Sequence, residues 1–236
     1  MYIGVDVGGT NLAAGLVDRD YNIIAKAKRK TEDADSAEAL CRDIVAVARE
    51  AAQAGGVRDE NIELVGIGIP GAIDRENGIV LHTPNAAFDN TPIRDIFHRQ
   101  WDVPIYLGND ANCAAVGEYV AGAAKGYRSA MVITLGTGVG AGVIVDGKVF
   151  MGCNGTGLEA GHTVIEVDGR PCNCGRRGCW ERYSSATGLK LTTREIMARH
   201  PESLMWQLAG GTLDGVGGRT AFQAARAGDA VGRMVV

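Results

Sequence analysis

Three cysteines and one histidine make the most specific chemical signal in the chain. Cys172-Asn173-Cys174 is followed after four residues by Cys179, and nine residues separate His162 from Cys172. Three thiolates and one imidazole form a closed tetrahedral set for a structural Zn²⁺. Gly175 and Gly178 lie where a short loop must turn tightly to wrap an ion. Cys41, Cys113 and Cys153 are scattered by comparison. The start, Met1-Tyr2-Ile3-Gly4-Val5-Asp6, lacks the basic leader of an exported chain, so the clustered thiols read as metal ligands before disulfides, and the expected location is cytoplasmic. A second set of residues suits phosphate. Gly8-Gly9-Thr10 and Gly136-Thr137-Gly138 each join two apolar runs. Neither is a Walker loop, and a strand rather than a helix is expected after the first, which excludes the dinucleotide fingerprint. Paired glycine–threonine turns offer backbone N–H groups and hydroxyls to phosphate oxygens. Asp6, ending the first strand, is suited to hold Mg²⁺.

A third group is Asn109-Asp110, at the expected start of a helix. An aspartate there is either an N-cap or a general base that takes a proton from an attacking hydroxyl, and the sequence leaves both open. Glu159 and Glu181 flank the cysteine segment. Together with His162 they would form a polar wall suited to a polyhydroxylated ligand.

These groups need elements to hold them. Runs 2–7, 12–17, 23–28 and 64–69 read as strands, and Ser36 as the N-cap of a helix carrying Leu40, Ile44, Val47 and Ala51 on one face and ending at Gly55-Gly56. Helices are expected over 92–100, 111–120, 188–199, 220–227 and from 229 onward, with further strands at 103–107, 130–135 and 141–145. Alternating strands and helices indicate α/β architecture. The strand, glycine–threonine turn and strand at 130–145 echo the first twenty residues, so two α/β domains are expected, 1–108 and 109–236.

Composition agrees. Of 236 residues, 46% are hydrophobic and 22% charged, an ordinary globular mixture that can bury a core. A net charge of −4 argues against a general nucleic-acid binder, including a zinc-ribbon one. No stretch approaches the ~20 apolar residues of a membrane span.

Taken together, Asp6-x-Gly8-Gly9-Thr10, Gly108-Asn109-Asp110-Ala111-Asn112, Leu135-Gly136-Thr137-Gly138-Val139-Gly140, Gly161-His162 and Cys172-x-Cys174-Gly175-x-x-Gly178-Cys179-x-Glu181 resemble the ROK family of sugar kinases and related repressors. Thr83-Pro84-Asn85 and the run from Val132 to Gly147 are most similar to bacterial ROK glucokinases. The resemblance implies an actin-like ATPase fold of two ribonuclease-H-like domains with a structural zinc loop, binding ATP and sugar in the cleft. It implies transfer of the ATP γ-phosphate to the 6-hydroxyl of a hexose, most simply glucose, with Mg²⁺. Carried over by position, Asp110 is the base. Asn85, Asn109, Glu159 and Glu181 bind sugar hydroxyls. His162 binds zinc with Cys172, Cys174 and Cys179, and sugar through its other ring nitrogen. Asp6, Gly8, Gly9, Thr10, Gly136, Thr137 and Gly138 serve the nucleotide phosphates and metal. A homodimer is expected.

Two departures stand out. Leu158 precedes Glu159 where the family has glycine. Family chains also continue beyond the position matching Val236, with another glycine-rich turn and a last helix, so the second domain is expected to be C-terminally incomplete, with weakened nucleotide binding. The absence of a winged-helix segment favours a kinase over a repressor. A non-catalytic sugar-binding regulator and an N-acetylhexosamine kinase are the alternatives.

Overall fold

A computed structural model describes residues 1–8, 11–30, 36–83, 88–153, 155 and 157–236. The chain divides into two compact units, one of residues 1–132 with 142–158, the other of 133–141 with 159–236. The boundary expected after residue 108 falls inside the first unit.

In the first unit β1 (Tyr2–Val7), β2 (Asn11–Val17) and β3 (Ile23–Lys30) form an antiparallel meander. Helix α1 (Ala37–Ala54) follows, then β4 (Leu64–Ile69), the hairpin β5 (Ala72–Asp74) and β6 (Ile79–His82), and helix α2 (Ile93–His98). Strand β7 (Ile105–Asn109) leads into helix α3 (Asp110–Ala121). The main sheet has the order β3-β2-β1-β4-β7, with β4 parallel to β1 and β7 parallel to β4.

Alternation explains the layering. Ile3, Val5 and Val7 of β1 are buried, whereas Gly4 and Asp6 face the other way and are exposed. The buried side carries Leu12, Leu16, Val65 and Ile67, and against it pack Leu40, Ile44 and Val47 of α1, all in one core. Each fully buried aliphatic chain there contributes about 1.5–3 kcal/mol. Helix α1 begins as the sequence indicates: the Ser36 Oγ accepts the Ala39 N–H at 3.2 Å, and Gly55 is its C-cap. The core therefore lies behind the sheet, and Asp6 lies on its front.

Strands β8 (Ala130–Leu135), β9 (Val139–Val145) and β10 (Lys148–Val149) make a sheet in the order β10-β9-β8, and the chain passes from one unit to the other within β8 and β9. The second unit continues through the cysteine loop to α4 (Glu181–Ser184), α5 (Ala186–Met197), α6 (Leu204–Leu208), α7 (Thr220–Arg226) and α8 (Ala230–Val235). Met197, Met205, Val216, Ala221, Ala224 and Val231 close a small core among the helices. Among the described residues, no helix is long and apolar enough to cross a membrane.

Candidate active site

In the first unit the sheet register brings two carboxylates together. Asp6 of β1 is level with Gly68 of β4, and Gly68 with Gly108 of β7, one residue before Asn109. A methyl group at Gly68 would sit 3.5 Å from the Asp110 Cα and 3.6 Å from the Cys113 Cβ. Helix α3 thus rests its first turn on a gap left by the missing side chain. The Asp6 carboxyl is held above its ordinary range by partial burial and by the charge of Asp110. Gly68 was not singled out by sequence, since its role depends on register with Asp6.

Asn109, not Asp110, is the N-cap: its Oδ1 accepts the Asn112 N–H at 3.1 Å, and its Nδ2 donates to the Gly71 carbonyl at 3.2 Å. Asp110 is the first helical residue, with Oδ1 accepting the Ala111 N–H at 2.9 Å. The capping role weighed for Asp110 therefore belongs to its neighbour. The N–H of Gly8 donates to the Asn11 carbonyl at 2.9 Å, joining the residue after β1 to the first residue of β2. Gly9, Thr10 and Asn85 lie outside the described residues.

The second unit assembles the cysteine loop. His162, Cys172, Cys174 and Cys179 each place one ligand atom within 4.8 Å of the others. Cys174 Sγ and Cys179 Sγ are 3.6 Å apart, and Cys172 Sγ is 3.5 Å from His162 Nδ1. Tetrahedral zinc with ordinary bond lengths requires about 3.8 Å between sulfurs and about 3.6 Å between sulfur and nitrogen. The donor set fits Zn²⁺ in both chemistry and span. Gly178 has φ +75°, and a Cβ there would lie 1.6 Å from the Glu166 carbonyl oxygen, so only glycine fits the turn before Cys179.

Glu159 is exposed and precedes the short 3₁₀ turn Ala160–His162, whose His162 N–H donates to the Glu159 carbonyl at 3.0 Å. Leu158, just before Glu159, has φ +67°. This is the left-handed conformation, to which leucine is poorly suited.

The turn Gly136-Thr137-Gly138 is gripped by the corner between α4 and α5. The Ala186 N–H donates to the Gly136 carbonyl at 2.9 Å, and the Thr187 hydroxyl to the Thr137 carbonyl at 3.0 Å. The Val139 N–H donates to Glu181 Oε2 at 3.0 Å. Because a trans peptide points its C=O and N–H in opposite directions, the N–H groups of Thr137 and Gly138 are turned away from the corner. That orientation suits an anion. Gly138 permits the approach of Glu181, since a Cβ there would crowd its Oε2.

The ROK family pattern matches residues 2–236. The chain belongs to the ROK family. A glucokinase from Thermotoga maritima is 39% identical over 234 residues, covering 99% of this chain and 72% of that protein. A xylose repressor from Caldicellulosiruptor bescii is 29% identical over 236 residues, covering 99% of this chain and 58% of the repressor. The crystal structure of a ROK family glucokinase from Streptomyces griseus, in complex with glucose and AMPPNP, matches with a TM-score of 0.85 at 37% identity, covering 99% of this chain and 73% of that one. This ROK chain accordingly has the actin-like α/β fold of the family's sugar kinases.

Proposed function

We propose that this ROK chain is an ATP-dependent hexose kinase whose sugar is glucose, acting on the 6-hydroxyl. Its similarity to glucokinases over nearly its whole length supports the reading. The structural observation that carries it is the approach of Asp6 and Asp110 to one another beside Gly68, on the side of the sheet away from the core.

In this reading the hexose O6 attacks the γ-phosphorus while its proton passes to a carboxylate oxygen of Asp110. The bond from phosphorus to the bridging oxygen breaks, and the electron pair leaves with ADP. In phosphoryl transfer the protein chiefly positions groups and offsets charge. Asp110 begins α3, so the helix N-terminus and the Asn109 cap fix where its carboxylate sits. Asp6 would hold Mg²⁺ through water, and Mg²⁺ would neutralise charge developing on the phosphates. Gly8, Gly9, Thr10, Gly136, Thr137 and Gly138 would cradle those phosphates.

Asn85, Asn109, Glu159, His162 and Glu181 would hydrogen-bond sugar hydroxyls. Both polar groups of Asn109 already serve the backbone, so its sugar contact uses remaining lone pairs or its second N–H. His162, Cys172, Cys174 and Cys179 would hold Zn²⁺, which supplies folding energy to the loop. With Nδ1 in the metal set, Nε2 of His162 is the nitrogen left for sugar, its tautomer fixed by the metal bond. A homodimer in the cytoplasm completes the proposal.

The test is release of ADP from Mg·ATP across a panel of hexoses and N-acetylhexosamines. Glucose-dependent turnover is the expected result. Turnover only with an acetamido sugar would reassign the substrate. Glucose binding without nucleotide binding would support a non-catalytic sugar-binding role, the reading to which the similar xylose repressor points.

A further inference from the structure

Arg170 makes more contacts than a loop arginine needs. It sits two residues before Cys172, and its side chain is 16% exposed. One end of the guanidinium, Nη1, donates to the carbonyls of Arg182 at 2.9 Å and Gly188 at 3.4 Å. The other, Nη2, donates to Thr192 Oγ1 at 3.0 Å and pairs with Glu195 Oε2 at 2.6 Å. The guanidinium carbon lies 4.8 Å from the centre of the Tyr183 ring, and the Arg170 backbone N–H donates to the Tyr183 hydroxyl oxygen at 2.8 Å. A planar fork with donors on two edges is required for such a set, and lysine cannot supply it.

The partners matter because of where they lie. Residues 182 and 188 bracket the corner between α4 and α5. Within that bracket stand Ala186 and Thr187, and just before it Glu181, the three residues that bond the turn Gly136–Gly138 and Val139. Each of the three fixes one peptide of the turn: 136–137, 137–138 and 138–139. On its other side Arg170 belongs to the cysteine loop, where its carbonyl accepts the Gly178 N–H at 2.8 Å, one residue before Cys179. A path of hydrogen bonds, joined by one or two peptide links at the corner, therefore runs from the metal loop through one side chain to the glycine–threonine turn.

We infer that Arg170 is a positioning residue through which the cysteine–histidine loop sets the peptide orientations of the Gly136–Gly138 turn, so that the metal loop governs nucleotide affinity as well as sugar binding. The inference rests on the kinase reading for its ligand, but the path itself does not.

The test compares wild type with Arg170→Met and Arg170→Lys, each zinc-loaded, by zinc content, Mg·ATP and glucose affinity by calorimetry, and exchange of the Val139 amide. Expected is full zinc content in all three, Mg·ATP binding weakened ~10-fold or more in Arg170→Met, as a small misplacement of positioning groups can cost, and faster Val139 exchange. Arg170→Lys should recover little, because the fork is lost. Unchanged Mg·ATP affinity and Val139 exchange in zinc-loaded Arg170→Met would overturn the inference, as would a loss that appears only when zinc is lost. If Arg170→Met does not fold, Thr192→Val with Glu195→Leu removes the Nη2 partners alone, and the same two readouts decide. Failure of wild type to bind Mg·ATP would count against the kinase reading, whereas Val139 exchange still tests the path.

Discussion

Glu181 and the backbone of Val139 are joined by one hydrogen bond of 3.0 Å, and it ties the residue just after the cysteine loop to the strand that leaves the glycine–threonine turn. Gly138 makes room for it. Replacing Gly138 with alanine places a methyl group against Glu181 Oε2, the far end of a flexible side chain that can swing aside. Stability should change by less than ~1 kcal/mol, as for most substitutions that leave core packing intact, while the KM for ATP rises. Glu181→Ala should show the complementary pattern. The unpaired Val139 N–H costs about 1 kcal/mol, read as a fall of roughly 2–4 °C in Tm. Equal kinetics in Gly138→Ala and wild type would contradict the role given to this contact.

Leu158 offers a stabilising change. A left-handed conformation costs a leucine about 1–2 kcal/mol, and glycine returns some of that by loosening the unfolded chain, by about 0.4–1 kcal/mol. Leu158→Gly should therefore raise stability by up to ~1 kcal/mol in urea unfolding. A lower midpoint in the variant would show that the exposed leucine makes contacts worth more than its strain.

Asp6 gives a pH dependence with a defined sign. Its carboxyl is raised above the ordinary range by burial and by Asp110, so the folded state holds this proton more tightly than the unfolded state. Between the two pKa values the native protein binds more protons, and this group's contribution to stability falls as pH rises from about 4, the usual aspartate value. Asp6→Asn removes that penalty. The variant should melt above wild type at pH 7, with the difference shrinking toward pH 4, while turnover falls. A variant less stable than wild type at pH 7 would contradict the placement of the two carboxylates.

Cys174 is the exposed member of the metal set, whereas Cys172 and Cys179 are buried. Cys174→Ser thus removes a ligand without opening a core. Wild type should carry about one zinc ion per chain and Cys174→Ser much less; in the variant the region 160–185 should become protease-sensitive, and glucose affinity should be lost, because metal binding supplies the folding energy of such loops. Glucose affinity unchanged in zinc-free protein would separate sugar binding from the metal.

Much of this was legible from local chemistry. Ser36 and Gly55 bound α1 because a hydroxyl cap and a glycine stop act within a turn of chain. The spacing of His162, Cys172, Cys174 and Cys179 announced a cluster that the fold closes to metal-binding distances. Other features depend on partners distant in sequence. Gly68 acquires meaning only through its register with Asp6 and its approach to Asp110. The division of labour between Asn109 and Asp110 is a matter of one backbone angle pair, which residue types alone do not fix. Arg170 stands in a polar stretch without periodicity, and its partners lie 12 to 25 residues further on. The hairpin of β5 and β6 is held by Asp74, whose carboxylate accepts the Asn77 N–H and side-chain amide, a pairing hidden among ordinary loop residues.

The central claim is that Asp110 takes the proton from a hexose hydroxyl, and the most direct measurement is glucose-dependent ADP release by Asp110→Asn beside wild type, with glucose and Mg·ATP affinities measured in parallel. The account predicts a fall in kcat of ~10²-fold or more, the usual contribution of a positioned base, with both affinities near wild type. Turnover by Asp110→Asn close to that of wild type would contradict it.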